Sequence, residues 1–208
     1  MIINNLELIK PLLTFESEDN FYFLQLLKRK KEHKELGSNS VVIKTYYISS
    51  LEYLDLKWDE ITTLCKLHQA RAYINLTSRS FKRTAFHTLK KITDCILNDD
   101  YKAVRKAYDS CCGSYSIGEK RWIVDIDEKE ISPLMIAHIE YECDPISRFE
   151  YDLDNIPINF NSKIIATIPT KNGWHLITKP FNRKQFSDKY PETDIQTNNP
   201  TILYYENN

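Results

Sequence analysis

Glycine is scarce in this chain, with four among 208 residues, at positions 37, 113, 118 and 173. That leaves no room for glycine-rich linkers, and each glycine is expected to answer a backbone demand. Net charge is nearly absent too: 28 Lys and Arg face 29 Asp and Glu, for a formal charge of −1. A whole-surface attraction for nucleic acid is therefore excluded, and any basic patch must be local. Five cysteines, at 65, 95, 111, 112 and 143, form no C-x-x-C pair, and no histidine stands at zinc-finger spacing. The adjacent Cys111 and Cys112 are poorly disposed to chelate one tetrahedral zinc together. An odd cysteine count, no disulfide-like framework and no signal-peptide pattern lead to the expectation of a reducing, cytoplasmic setting. Cys111, Cys112 and Cys143 are expected as buried thiols. Apolar runs fall far short of the ~20 residues of a membrane span, so no membrane partner is expected.

What is present is ordinary for a globular chain: 42% apolar and 27% charged residues, with 13 Tyr and 9 Phe, enough to build a real core. Residues 5–36 read as helical on Leu6, Leu8 and Ile9, then Phe23, Leu26 and Leu27. The run "KRKKEHKE" (28–35) is read as their solvated end, and Gly37 as the stop. "VVIKTYYIS" (41–49) predicts a strand, 58–68 a helix with Trp58, Ile61, Leu64 and Cys65 on one stripe, and 70–79 a strand. Phe81, Ala85, Leu89, Ile92 and Ile96 predict a long amphipathic helix, with a shorter one around 101–108. A strand follows at 121–127, a helix near 132–143, and two short strands within 162–181 joined at Lys171-Asn172-Gly173. A helix at 182–190 and a strand at 201–205 complete the order. The expected fold is α+β, a mixed but largely antiparallel sheet flanked by helices. It divides into an N-terminal helical element over 1–40 and an α+β catalytic-type domain over 41–208.

The stretch "KRWIVDIDEKE" (120–130) raises the first chemical question. In an extended strand, Trp122, Val124 and Ile126 share one face, while Ile123, Asp125 and Asp127 share the other. Two carboxylates about 6–7 Å apart either mark a loop or helix cap after the strand, or hold a divalent cation. The second question is "IPTKNGWHLITKPF". Here Gly173, His175 and Ile177 face one way, and Trp174, Leu176 and Thr178 the other. A strand histidine is a hydrogen-bonded structural residue or a ligand. Lys171, Lys179, Arg183 and Lys184 crowd around it with no acid between 171 and 184. That stretch is either a solvated stripe or a phosphate cradle, with Gly173 supplying turn N–H groups. Trp174, beside His175 but on the opposite strand face, either stacks a base or is core, and is read as core. The segment 106–121 is read as a loop, either over the site or a plain connection.

These residues resemble a family. "WIVDID" is similar to the first motif of the archaeo-eukaryotic primase (primase–polymerase) superfamily and "TKNGWH" to its second, in the same order. "TDIQTNNPT" supplies a candidate third acid, Asp194, with Thr193 where the pattern has an apolar residue; Asp188 and Glu192 are the alternatives. "YINLTSR" (73–79) resembles an early strand of primase–polymerases, and covers Arg79. The resemblance spans about residues 70–205 and implies a primase–polymerase-like fold with template-dependent nucleotidyl transfer. Asp125 and Asp127, joined by Asp194, would hold Mg²⁺ or Mn²⁺, and His175 would contact the incoming nucleotide's phosphates. Arg71 and Arg79 either meet template or triphosphate or lie at solvent-exposed strand ends. The implied partners are nucleoside triphosphates, a single-stranded DNA template or other nucleic acid, and a replication helicase, in a plasmid, phage or similar mobile element. Two other classes stay open on the same residues. One is a metal-dependent nuclease or phosphoesterase; the other is a non-catalytic nucleotide- or DNA-binding replication protein.

Overall fold

The computed structural model describes residues 1–33, 37, 40–142 and 162–206. Cys143, the last residue of the expected helix 132–143, and residues 34–35 of the charge run lie outside the described residues. The fold is α+β, with antiparallel sheets flanked by helices, and it forms two compact units: Met1–Glu119 with Pro200–Asn208, and Lys120–Asn199. No helix among the described residues is long and apolar enough to cross a membrane.

The first unit contains β1 (Ile2–Asn4), β2 (Asn20–Lys28), β3 (Val41–Ile48), β4 (Arg71–Ile74), β5 (Arg79–Ser80) and β10 (Thr201–Glu206). Its sheet runs β1-β10-β4-β2-β3, and β5 pairs with β2. Among the described residues of 5–36, the expected helix is not there: only α1 (Leu6–Ile9) and a short 3-10 turn are helical, and β2 is a central strand between β4 and β3. The physical reason is that "NFYFLQLLK" is a nearly continuous apolar run, which is what a strand covered on both faces requires. β1 and β2 are thus woven into the same sheet as 41–48, 71–74 and 201–206, and do not form an appended element. Gly37 does adopt the left-handed backbone, with φ 62°, and residues 34–36 before it lie outside the described residues.

Period two divides the two faces of that sheet. Phe21, Phe23 and Tyr47 pack with Phe81, Tyr108 and Cys112 on one side. On the other, Tyr204 meets Trp58 of α2 (Leu51–His68) edge to face at 5.6 Å. α2 begins seven residues before the expected 58, because Ser50 caps it by accepting from the Tyr53 N–H at 3.0 Å. α3 (Phe81–Leu97) forms as its periodicity predicts, but its apolar stripe is not buried: Leu89 is 64% exposed and only Thr84 is buried. The segment read as a loop over 106–121 is half helical. α4 (Tyr101–Val104) is followed by α5 (Ala107–Ser114), which buries both Cys111 and Cys112 and packs Cys112 with Phe21 and Phe23 of the sheet.

Among the described residues, the second unit has four antiparallel strands, β6 (Trp122–Ile126), β7 (Ile164–Pro169), β8 (Trp174–Thr178) and β9 (Asp194–Gln196), ordered β7-β8-β6-β9. Val124, Ile126, Leu176 and Ile195 form one core with Met135 and Ile139 from α6 (Pro133–Ala137) and the π-helical turn that continues it. Phe186 of α7 (Arg183–Lys189) and Phe181 complete that core. Trp174 packs against it as expected, donating its indole N–H to the Lys129 carbonyl at 2.9 Å.

Candidate active site

With Val124, Ile126, Leu176 and Ile195 committed to the helical core, the residues between them in sequence belong to the other face of the second sheet. Register then decides which of them meet. Asp125 of β6 is directly opposite His175 of β8 on one side and Asp194 of β9 on the other. Directly opposed residues share a face, with Cβ atoms about 4.5–5.5 Å apart. Three side chains from distant segments therefore stand in one row across three adjacent strands.

The contacts form a chain along this row. His175 Nε2 approaches Asp125 Oδ1 to 3.4 Å, and the ring is buried. The other Asp125 oxygen, Oδ2, accepts from Gln196 Nε2 at 3.3 Å, and the same nitrogen donates to Asp194 Oδ2 at 3.0 Å. Gln196 was not singled out from the sequence. Its signal was the alternation Asp194-Ile195-Gln196, apolar inward and polar outward, in a strand too short to reveal a period.

Asp127 is the first residue past β6 and is exposed, so it flanks the row at the strand exit. Its neighbours crowd the β7–β8 turn. A Cβ on Gly173 would lie 1.9 Å from the Ile126 carbonyl oxygen and 2.9 Å from that of Glu128. Glycine is demanded here by a close approach of two backbones. Its N–H is already given to Thr170 Oγ1 at 3.1 Å, which corrects the expectation that it offers that N–H to a phosphate.

The basic residues do not make one cluster. Lys171 is in the turn at one end of β8, while Lys179 follows the other end and bonds through its backbone N–H to the Lys163 carbonyl at 2.8 Å. The five strand residues between those ends span roughly 17 Å at about 3.3 Å each. Arg183 is the exposed first residue of α7, a helix capped by Asn182, whose side chain accepts from Gln185 N–H at 3.1 Å.

Arg79 is a correction. It belongs to the first unit, has no exposed surface, and donates Nε to the Cys112 carbonyl at 2.7 Å and Nη1 to the Thr77 carbonyl. Burial pulls its guanidinium down to about 10, and it stays charged at neutral pH. It holds β5 to α5 from inside and is not a nucleotide ligand. Arg71 is also buried, paired with Glu32 and lying 4.5 Å over the Tyr205 ring.

Whether the row suits a divalent cation is a question of donor chemistry. Among the described residues, no three His, Cys, Asp or Glu side chains stand close enough to enclose an ion by themselves. Magnesium, however, is ordinarily held by one or two carboxylates and completed by waters and substrate phosphates. Two carboxylates that share one amide nitrogen fit that second pattern.

No protein-family model matches this chain, and comparisons with curated proteins and with solved structures found no match.

Proposed function

We propose that this chain is a metal-dependent nucleotidyltransferase of primase–polymerase type, acting on nucleic acid with nucleoside triphosphates. The observation that carries the reading is the row Asp125–His175–Asp194. Three of the four residues named by the resemblance, from separate stretches of sequence, are brought to adjacent positions on the face opposite the core. Asp125 and Asp194 would hold Mg²⁺ or Mn²⁺, which when bound offsets the negative charge developing on phosphoryl oxygens, while Asp127 stays at the strand exit outside that pair. Asp125 holds the His175 ring in the row through Nε2, and there the imidazole would address a phosphate oxygen. Lys171 stands at the His175 end of β8, suited to a triphosphate. Lys179 and Arg183 lie toward the far end, placed for a longer polyanion such as a template backbone.

Nucleotide or DNA binding without catalysis is the second reading, and Gln196 favours it, because its amide occupies the position between the carboxylates. The test is incorporation of labelled nucleotides on single-stranded DNA, with and without a primer, in Mg²⁺ and in Mn²⁺. Asp125→Asn and Asp194→Asn should each lower incorporation at least about 100-fold, the scale of losing one preorganised electrostatic group. Triphosphate or DNA binding without any incorporation would leave the second reading. Absence of both would remove the nucleic-acid assignment.

A further inference from the structure

We propose that Gln196 is a positioning residue whose carboxamide stands in for the cation, holding Asp125 and Asp194 together until a divalent ion displaces it. The inference rests on the reading of those two carboxylates as cation ligands. Both sit on one face, in directly opposed positions of β6 and β9, so their charges repel across a strand pair. Gln196 is two residues beyond Asp194 on the same strand, and therefore on the same face. Its Nε2 carries two hydrogens, and each has its own acceptor: Asp125 Oδ2 at 3.3 Å and Asp194 Oδ2 at 3.0 Å. A neutral amide thereby takes up the inner lone pairs of two anions without bringing a charge of its own.

Those lone pairs are the ones a bridging cation needs. Amide and ion compete for them, and the amide must swing away before the ion can bind both carboxylates. The bare ion thus works against a prior contact, whereas an ion arriving with a triphosphate brings extra ligands to offset that contact. The competition makes cation entry depend on nucleotide. A purely structural glutamine would have the opposite signature, since its loss would loosen the site and weaken the ion.

The experiment titrates Mn²⁺ into the full chain without nucleotide, by calorimetry or by the paramagnetic resonance of free Mn²⁺. It also follows thermal melting in a chelator. Gln196→Met keeps the length and removes the amide; it should bind Mn²⁺ about tenfold tighter than the wild type, the scale of a hydrogen bond to a charged group. It should also melt earlier in chelator and regain that loss when Mn²⁺ is added. Gln196→Glu, nearly identical in shape, adds a third carboxylate and should move both readings further the same way. It carries the test alone if the Met variant fails to fold. In an Asp194→Asn background the gain in affinity should disappear. Unchanged or weaker Mn²⁺ affinity in the Gln196 variants, with wild-type affinity still dependent on Asp125 and Asp194, would overturn the inference and leave the cation site standing. If neither the wild type nor any Gln196 variant binds Mn²⁺, the cation reading falls and this inference falls with it.

Discussion

Gly173 shows how much one residue's role depends on what it packs against. The dipeptide Asn172-Gly173 marks a turn between two apolar stretches, and a turn does join β7 and β8. The reason for glycine is nevertheless remote in sequence: a Cβ would press on the Ile126 carbonyl oxygen at 1.9 Å, and backbone on both sides would have to move. Gly173→Ala should therefore cost about 2–4 kcal/mol, the range of overpacked or backbone-strained positions. A lower urea midpoint in unfolding followed by tryptophan fluorescence would register it; an unchanged midpoint would mean that the turn shifts freely. Because the crowded carbonyls flank Asp127, the substitution also disturbs the exit of β6. That Asp125 and His175 lie on strands was legible from the residues around them. Arg79 was misread because burial is not a local property: a strand-end arginine in sequence became an interior cation held by the carbonyls of Cys112 and Thr77.

Among the elements, β2 and α3 make opposite points. The apolar stretch of β2 suits a buried helix or a buried strand equally, and only pairing with β3 and β4 separates the two. α3 was recognisable from its period, and its start is secured by two side chains. Ser80 caps it by accepting from the Arg83 N–H at 2.9 Å, while the Asp19 carboxylate accepts from Ser80 Oγ and from the Lys82 N–H at 2.9 Å. The Ser80 hydrogen bond, then that of the Lys82 backbone, holds the Asp19 carboxyl below the usual carboxylate range. A depressed folded-state value means that the stabilisation is present above the ordinary carboxylate value. It is lost as pH falls through the folded one. Asp19→Asn should thus lower the melting temperature at pH 7, and the gap from wild type should close as the pH is taken below about 4. A gap that stays constant down to pH 2 would assign the effect to something other than the charge.

At the scale of the molecule, the chain leaves the first unit after residue 119, builds the second over 120–199, and returns to insert β10 between β1 and β4. The last strand buries Ile202, Leu203, Tyr204 and Tyr205. At about 1.5–3 kcal/mol for each such side chain, its removal costs roughly 6–12 kcal/mol, comparable with the whole net stability of a domain. A chain ending at Asn199 should therefore lose the dispersed amide signals of residues 1–119, and a native-like spectrum from it would contradict the topology. Local pattern was enough to place the strands around Asp125 and His175 and to sort their side chains onto two faces, because alternation is imposed by the geometry of each strand alone; Asp194 was nominated only by the resemblance. Register could not be read that way. It was pairing across the chain that put His175 and Asp194 on either side of Asp125 and brought Gln196 between two carboxylates. It also drew β1 and β2 into the sheet, since the free energy selecting each partner comes from burying surfaces contributed by segments far apart in the sequence.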